Sequence, residues 1–188
     1  MIKIGITGSL ASGKTTASKI LSNNRGPLFS ADKVVKKLYE KTSFKSLISK
    51  KFGIKNNSQI KKSIKKLIFK NKSNLKKLEK IVHPLVRKKM KDFTLKNKSK
   101  KILFFEIPLL IESKLMKSFS VIIFIKSKKN LRLKRFEASG GDKKLFNLLN
   151  KKQMSDQKKI KFCDHVVVNE KNLNVLKKKL SSIIHKYE

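Results

Sequence analysis

The stretch that most constrains this chain is Gly8-Ser9-Leu10-Ala11-Ser12-Gly13-Lys14-Thr15, directly after the short apolar run of residues 2–7. A glycine, four residues, then Gly-Lys-Thr is a backbone pattern that closes around an anion. Successive N–H groups converge inward, Lys14 reaches the outer phosphates, and the Thr15 hydroxyl is placed for magnesium. Such a loop needs a strand to deliver it and a helix whose positive end points at the same spot. Both are legible. Ile2, Ile4 and Ile6 sit in a run without clean alternation, as in a strand buried on both faces of a parallel sheet, and Ala17, Ile20 and Leu21 are spaced for a helix. The expected class is α/β. Gly8, Ala11, Ser12, Gly13, Lys14, Thr15 and Thr16 are the candidate residues for a nucleotide's phosphates, with Thr15 the candidate metal ligand. An ordinary Gly-rich turn is the plainer alternative, and it leaves Lys14 without a task.

At 188 residues the chain has the length of one domain with a real core. Its formal net charge of +37, from 49 Lys and Arg against 12 Asp and Glu, would ordinarily suggest a polyanionic partner. The lysines, however, are spread over every polar segment together with many Asn and Ile. That is drift in composition and not a patch, so no specific nucleic-acid partner is expected. The same bias makes the exceptions informative. Arg occurs only at Arg25, Arg87, Arg132 and Arg135, where a planar, bidentate phosphate donor is a reason to resist the drift. Among the scarce acids, Asp32 follows a strand, and Glu106 and Glu112 lie in apolar stretches. The single Cys163 excludes an internal disulfide and fits a reducing cytoplasm. The first strand starts at once, so no targeting signal is expected, and no apolar run approaches a membrane span.

Along the chain, Leu28 and Phe29 make a brief second strand running into Ser30, Ala31 and Asp32, a position where side chains of open α/β folds meet ligands. From residue 33 to 100 only helical spacings occur, too many for a simple crossover, so a helical subdomain is expected. It contains His83-Pro84, and proline there should kink the helix or break it with a restart. Residues 102–105 form the next strand, with Glu106 directly after it. Pro108 to Glu112 should open a short helix, proline suiting its first turn. Residues 121–125 are a further strand. The charged stretch 126–161 carries Arg132, Arg135 and the Gly140-Gly141 pair, and reads as a helical hairpin covering the loop. Residues 165–168 are the last strand, and Asn172 is placed to cap a terminal helix.

Taken in order, these features resemble the dephospho-coenzyme A kinases over nearly the whole chain. The likeness rests on the phosphate loop; Ala31-Asp32, where the family has Asp-Ala-Asp; His83-Pro84; Pro108-Leu109-Leu110 with Glu112; Arg132-Leu133 with Arg135; Gln153; and Asp164 followed by Asn169. The resemblance implies a P-loop NTPase fold, three layers α/β/α about a five-stranded parallel sheet, with a helical substrate-binding insertion and a helical lid. The expected division is a core of 1–32, 101–126 and 162–188, a substrate subdomain of 33–100 and a lid of 127–161.

The activity it implies is transfer of the γ-phosphoryl of ATP to the ribose 3′-hydroxyl of dephospho-coenzyme A, with Mg²⁺, by a monomer. Lys14, Asp32 and Arg135 are the catalytic candidates. Asp32 would orient the hydroxyl and accept its proton, though capping the helix that starts there is open to it as well. Arg135 would stabilise charge at the γ-phosphate, with Arg132 a second candidate; for both, a solvated helix face is the alternative. Thr7, Asp32, His83 and Pro108 are the candidates for contacting substrate. For His83 a cap or packed side chain beside the kinking proline weighs more. Glu106 stands where related loops place an acid that holds magnesium through water, Glu112 should fix its own loop, and Cys163 should pack inside. Three positions depart from the family. Ser9 and Ala11 stand where it usually has glycine, so Ala11 must tolerate its backbone angle, and Ser30 replaces the first Asp of the triplet. Near Leu149, where the family tends to have an arginine before the glutamine, no cation stands, so nearby lysines would supply that contact. A kinase of nucleosides or nucleoside monophosphates, or a nucleic-acid-stimulated ATPase, are the other readings of such a loop.

Overall fold

The computed structural model describes every residue except Lys72 and divides the chain into two compact units, residues 1–30 with 97–188, and residues 31–96. The first unit is built on one sheet of five strands: β1 (Ile2–Gly8), β2 (Leu28–Ser30), β3 (Ile102–Glu106), β4 (Val121–Lys126) and β5 (His165–Val168). Their order is β2-β3-β1-β4-β5 and every pairing is parallel. The apolar runs without alternation predicted this, since a central parallel strand hides both faces. One face carries Ile4, Ile6, Ile102, Phe104, Ile123 and Ile125 against α1 (Lys14–Ser22) and α9 (Leu173–Ile184), which contribute Ala17, Leu21, Leu176, Leu180 and Ile184. On the other face Gly5 is required by close approach. A Cβ there would come within 2.7 Å of Leu110 and 3.1 Å of the Phe119 ring.

The register brings the strand ends level. Ser30 and Ile6 both pair with Glu106, Gly8 pairs with Ile125, and Lys126 pairs with Val168. Residues that leave these strands therefore start from one edge, on either side of the strand carrying the phosphate loop. In an open α/β sheet that edge is where ligands bind.

The remaining helices of this unit are α6 (Lys129–Ala138), α7 (Lys143–Lys152) and the single-turn α8 (Asp156–Ile160). Asp142 caps α7, accepting from Leu145 N at 2.7 Å, and Asn172 caps α9, accepting from Val175 N at 3.1 Å, as its place in the sequence predicted. Phe136 and Phe146 pack at a 5.7 Å centroid distance and tie α6 to α7. The expected helix at Pro108 is absent. Residues 108–114 are successive turns, with bonds from Ser113 N to Leu109 O and from Leu115 N to Leu110 O, and Lys114 at φ 55 leaves the right-handed region before a second turn can form.

Every element among the described residues of the second unit is a helix: α2 (Ala31–Leu38), α3 (Thr42–Phe52), α4 (Ile60–Lys70) and α5 (Ser73–Lys96). Its core is Leu38, Phe44, Ile48, Ile60, Ile64 and Val82. Pro84 does not break α5, whose 24 residues continue through it as one helix. The expected break with restart is therefore corrected. Val82 and the half-buried Leu78, Ile81, Leu85 and Val86 anchor both sides of the proline in one core, which outweighs the missing hydrogen bond. Pro84 still deprives the Lys80 carbonyl of its partner. Pro84→Ala is expected to stabilise the protein by about 1–3 kcal/mol, read as a higher thermal midpoint.

Candidate functional site

The loop between β1 and α1 holds its shape because its carbonyls at Ser9, Leu10 and Ser12 are each met by a donor. Gly13 is the N-cap of α1 at φ 95, and a Cβ there would collide with the Asn169 side chain. Ser12 N donates to Ser9 O at 3.1 Å, closing the loop on itself. Lys14 is 8% exposed and its Nζ donates to the same Ser9 O at 2.9 Å. Thr15 and Thr16 are exposed at the first turn of α1, and the Thr15 hydroxyl donates to Glu106 Oε1, a carboxylate buried at the end of β3. Ala11 adopts φ 57, the left-handed conformation that a glycine would take without strain.

The Leu10 and Ser12 carbonyls are met by α6 and the end of β5. Arg132, only 6% exposed, donates from Nη1 to Leu10 O at 3.3 Å and Asn150 Oδ1 at 2.8 Å, and from Nε to Ser127 O at 3.1 Å. Its guanidinium also stacks 5.7 Å from the Phe146 ring. Burial lowers the Arg132 pKa and the nearby Asp156 charge raises it. Arg135 donates to Ser127 Oγ at 3.1 Å and Asn169 O at 3.1 Å, with a longer 3.5 Å reach to Ser12 O. Asn169 Nδ2 donates to Ser12 O at 2.9 Å. From the other end of the hairpin, Gln153 Oε1 accepts from Leu10 N at 3.0 Å, and Asp156 accepts from the Ser9 hydroxyl.

This arrangement suits a polyphosphate: an amide-lined loop, a lysine within it, a hydroxyl–carboxylate pair at one side and two arginines at the other. The family model described as Dephospho-CoA kinase matches residues 2–174. The chain belongs to the dephospho-CoA kinase family. It is 36% identical over 182 residues to the dephospho-CoA kinase of Fusobacterium nucleatum, covering 94% of each chain. Against that of Bartonella quintana it is 34% identical over 186 residues, covering 96% of this chain and 95% of the relative. Among solved structures, the dephospho-CoA kinase of Campylobacter jejuni superposes with TM-score 0.68 at 26% identity, over 98% of this chain and 96% of that one. A Thermus thermophilus protein shares the fold at TM-score 0.81 and 24% identity, over 100% and 98% of the two chains. Like others in this family the chain is a P-loop kinase that uses ATP, and no helix among its described residues is long and apolar enough to cross a membrane.

Dephospho-CoA kinase candidates outside the loop fall in two places. Thr7 is fully buried and its hydroxyl donates to Pro108 O at 3.1 Å, so these two partner each other beside Glu106 in the first unit. Asp32 and His83 belong to the second. Asp32 is the second residue of α2, exposed, two residues beyond Ser30 in the chain. It lies inside the first helical turn, where a carboxylate favours the positive end of the helix, so the capping alternative gives way to a first-turn position, because α2 begins one residue earlier. His83 is half-buried midway along α5. Neither Arg132 nor Arg135 is on a solvated face, which disposes of that alternative. Glu112 does more than hold its own loop. Its Oε1 lies 2.7 Å from Nζ of Lys159, a fully buried lysine, at an angle outside hydrogen-bond geometry, and it accepts from Met154 N at 3.2 Å, so it ties the turns after β3 to α8.

Asp156, Asn150 and Ser127 were not singled out by sequence reasoning, and Gln153 and Asn169 only through the family likeness. Asp156 had one available signal, being among only 12 acids in a lysine-rich chain. Two predictions follow from this geometry. Ala11→Gly relieves the left-handed strain of about 1–2 kcal/mol and gives back part of it as chain entropy, so a net gain of about 0.5–1 kcal/mol is expected in denaturant unfolding. Cys163, half-buried and not fully inside as expected, donates from Sγ to Lys159 O at 3.2 Å, and burial with the Asp164 charge pushes its pKa up to about 12. The native thiol should therefore react with a disulfide reagent at pH 8 far more slowly than the unfolded chain.

Proposed function

We propose that this kinase moves the γ-phosphoryl of ATP onto the ribose 3′-hydroxyl of dephospho-coenzyme A, the closing reaction of coenzyme A synthesis. The observation that carries the reading is the loop of Gly8 to Thr15, with Lys14 and the Thr15–Glu106 pair in place, in a chain of this family. Phosphoryl transfer asks a protein chiefly to align two oxygens, neutralise spreading charge and exclude water. The amides of Ala11, Gly13, Lys14, Thr15 and Thr16 hold the phosphates while Ser12 N stays on Ser9 O, and the loop winds this tightly because Gly8 and Gly13 lack a Cβ, which would strike Ile125 O and the Asn169 side chain. Lys14 exchanges the Ser9 carbonyl for phosphate oxygens.

Thr15 and Glu106 suit a magnesium ion, because a hydroxyl and one buried carboxylate leave the coordination positions that this ion fills with water and phosphate oxygen. When bound, the ion neutralises charge on the β- and γ-phosphates. Asp32 orients the 3′-hydroxyl and accepts its proton as the new O–P bond forms and the bond to the β-phosphate oxygen breaks, releasing ADP. Arg135 keeps its bonds to Ser127 Oγ and Asn169 O, and its Nη1, whose link to Ser12 O is long and easily exchanged, meets the developing charge on the γ-phosphoryl. Arg132 is bound on three sides and serves to hold the loop. The segment 33–100 would carry the acceptor, with His83 contributing to it, while Thr7 and Pro108 shape the floor beside Glu106, and 127–161 would close over ATP.

Incubation with ATP, Mg²⁺ and dephospho-coenzyme A should yield coenzyme A, and no product from this acceptor alongside product from a nucleoside would overturn the assignment. Asp32→Asn should lower kcat by about 10²–10⁴, the usual worth of a positioned base, with ATP affinity retained. A fully active Asn variant would remove Asp32 from this role.

A further inference from the structure

We infer that Gln153 and Asp156 are positioning residues of the phosphate loop, fixing the plane of the Ser9–Leu10 peptide and, through its carbonyl, the place to which Lys14 points. The inference rests on the reading of the loop as an ATP site, and it assigns a task to Gln153 and Asp156, two residues to which the proposed reaction gives no role.

The argument is geometrical. In a trans peptide the C=O and the following N–H lie on opposite sides of the bond. Leu10 N–H is drawn outward by Gln153 Oε1 at 3.0 Å, so the Ser9 carbonyl of the same peptide must face the opposite way. There it accepts both Lys14 Nζ at 2.9 Å and Ser12 N at 3.1 Å. The next residue back is gripped too, since the Ser9 hydroxyl donates to Asp156 Oδ1 and Ser9 is only 3% exposed. The next carbonyl forward, Leu10 O, takes Arg132 at 3.3 Å.

This half of the loop needs external support for a physical reason. From Gly8 the chain passes through Ser9, Leu10 and Ala11, none of them glycine, and Ala11 is held at φ 57. Residues with a Cβ resist that path, and within the loop only Ser9 O is held, by Ser12 N and Lys14 Nζ, among the bonds that cross it. Gln153 and Asp156 flank the start of α8, which is itself fastened to the turns after β3 by the buried Lys159–Glu112 pair. The clip thus has a rigid base. Released from it, the Ser9–Leu10 peptide can rotate, and Lys14 loses the carbonyl that aims it.

The test is ATP affinity, measured by equilibrium dialysis with radiolabelled ATP and Mg²⁺, with thermal midpoints taken in parallel. Gln153→Ala should weaken ATP binding about fivefold, the equivalent of one ordinary hydrogen bond, while Gln153→Glu, which keeps an acceptor for Leu10 N–H, should restore it. Ser9→Ala and Asp156→Ala should each weaken binding, and the double variant should be no worse than Asp156→Ala alone, because both remove one bond. Asn172→Ala, which removes a cap on α9, should lower the midpoint comparably with ATP affinity unchanged, separating positioning from general loosening. The inference is overturned if Gln153→Ala binds ATP as the wild type does, if Gln153→Glu is no better than Gln153→Ala, or if the Ser9 and Asp156 effects multiply. A wild-type chain that binds ATP but leaves dephospho-coenzyme A unphosphorylated sinks the acceptor assignment and leaves this test standing; one that binds no ATP sinks both.

Discussion

Everything at the carboxyl edge of the sheet follows from one constraint on the phosphate loop: a backbone wound tightly around an anion leaves carbonyls that no strand or helix pairs, and buried carbonyls must be met. Ser9 O, Leu10 O and Ser12 O are all met, by Lys14 and Ser12 N, by Arg132, and by Asn169 with Arg135 respectively. The donors come from α1, α6 and the residue after β5. The loop is therefore the place where several distant segments of chain have to agree, and the sheet register is what brings them level.

The composition bears on who meets those carbonyls. Lysine supplies nearly all the positive charge of this chain, yet two of its four arginines sit together on α6 against the loop. A guanidinium directs several donors in fixed directions, so Arg132 reaches Leu10 O, Ser127 O and Asn150 Oδ1 at once, which an ammonium on a flexible stem cannot do in that geometry. Where one donor suffices, as for Lys14 on Ser9 O, lysine serves. The missing cation near Leu149 has its counterpart here, for Asn150 joins the network as an acceptor of Arg132 and not as a source of charge.

Much of the fold was legible because its signals are local. Apolar runs without alternation marked buried parallel strands, spacings of three and four marked helices, and Asn172 announced a cap that is indeed made. The misses have equally local causes that sequence hides. Pro108 favours a first helical turn, yet Lys114 in the left-handed region ends it, and nothing in the residue types announces that angle. Pro84 read as a break, yet the shared core on both sides carries α5 through. Of the site, the loop, Thr15, Glu106 and the two arginines were legible from motif and scarcity. Ser127, Asn150 and Asp156 were not, being ordinary polar residues whose partners lie far away in sequence.

By itself the sequence determined that a strand, an anion-binding loop and a helix open this chain, that its sheet is parallel and buried, and which family its ordered motifs belong to. These are properties of spacing and residue type, and they need no knowledge of distant contacts. Only the tertiary structure decided what holds the loop: that Arg132 grips Leu10 O, that Thr15 meets Glu106, and that Ser9 and Leu10 are clipped by Asp156 and Gln153. Each of those bonds joins residues roughly 90 to 150 positions apart, and such pairs exist only once the sheet order has brought the strand ends level.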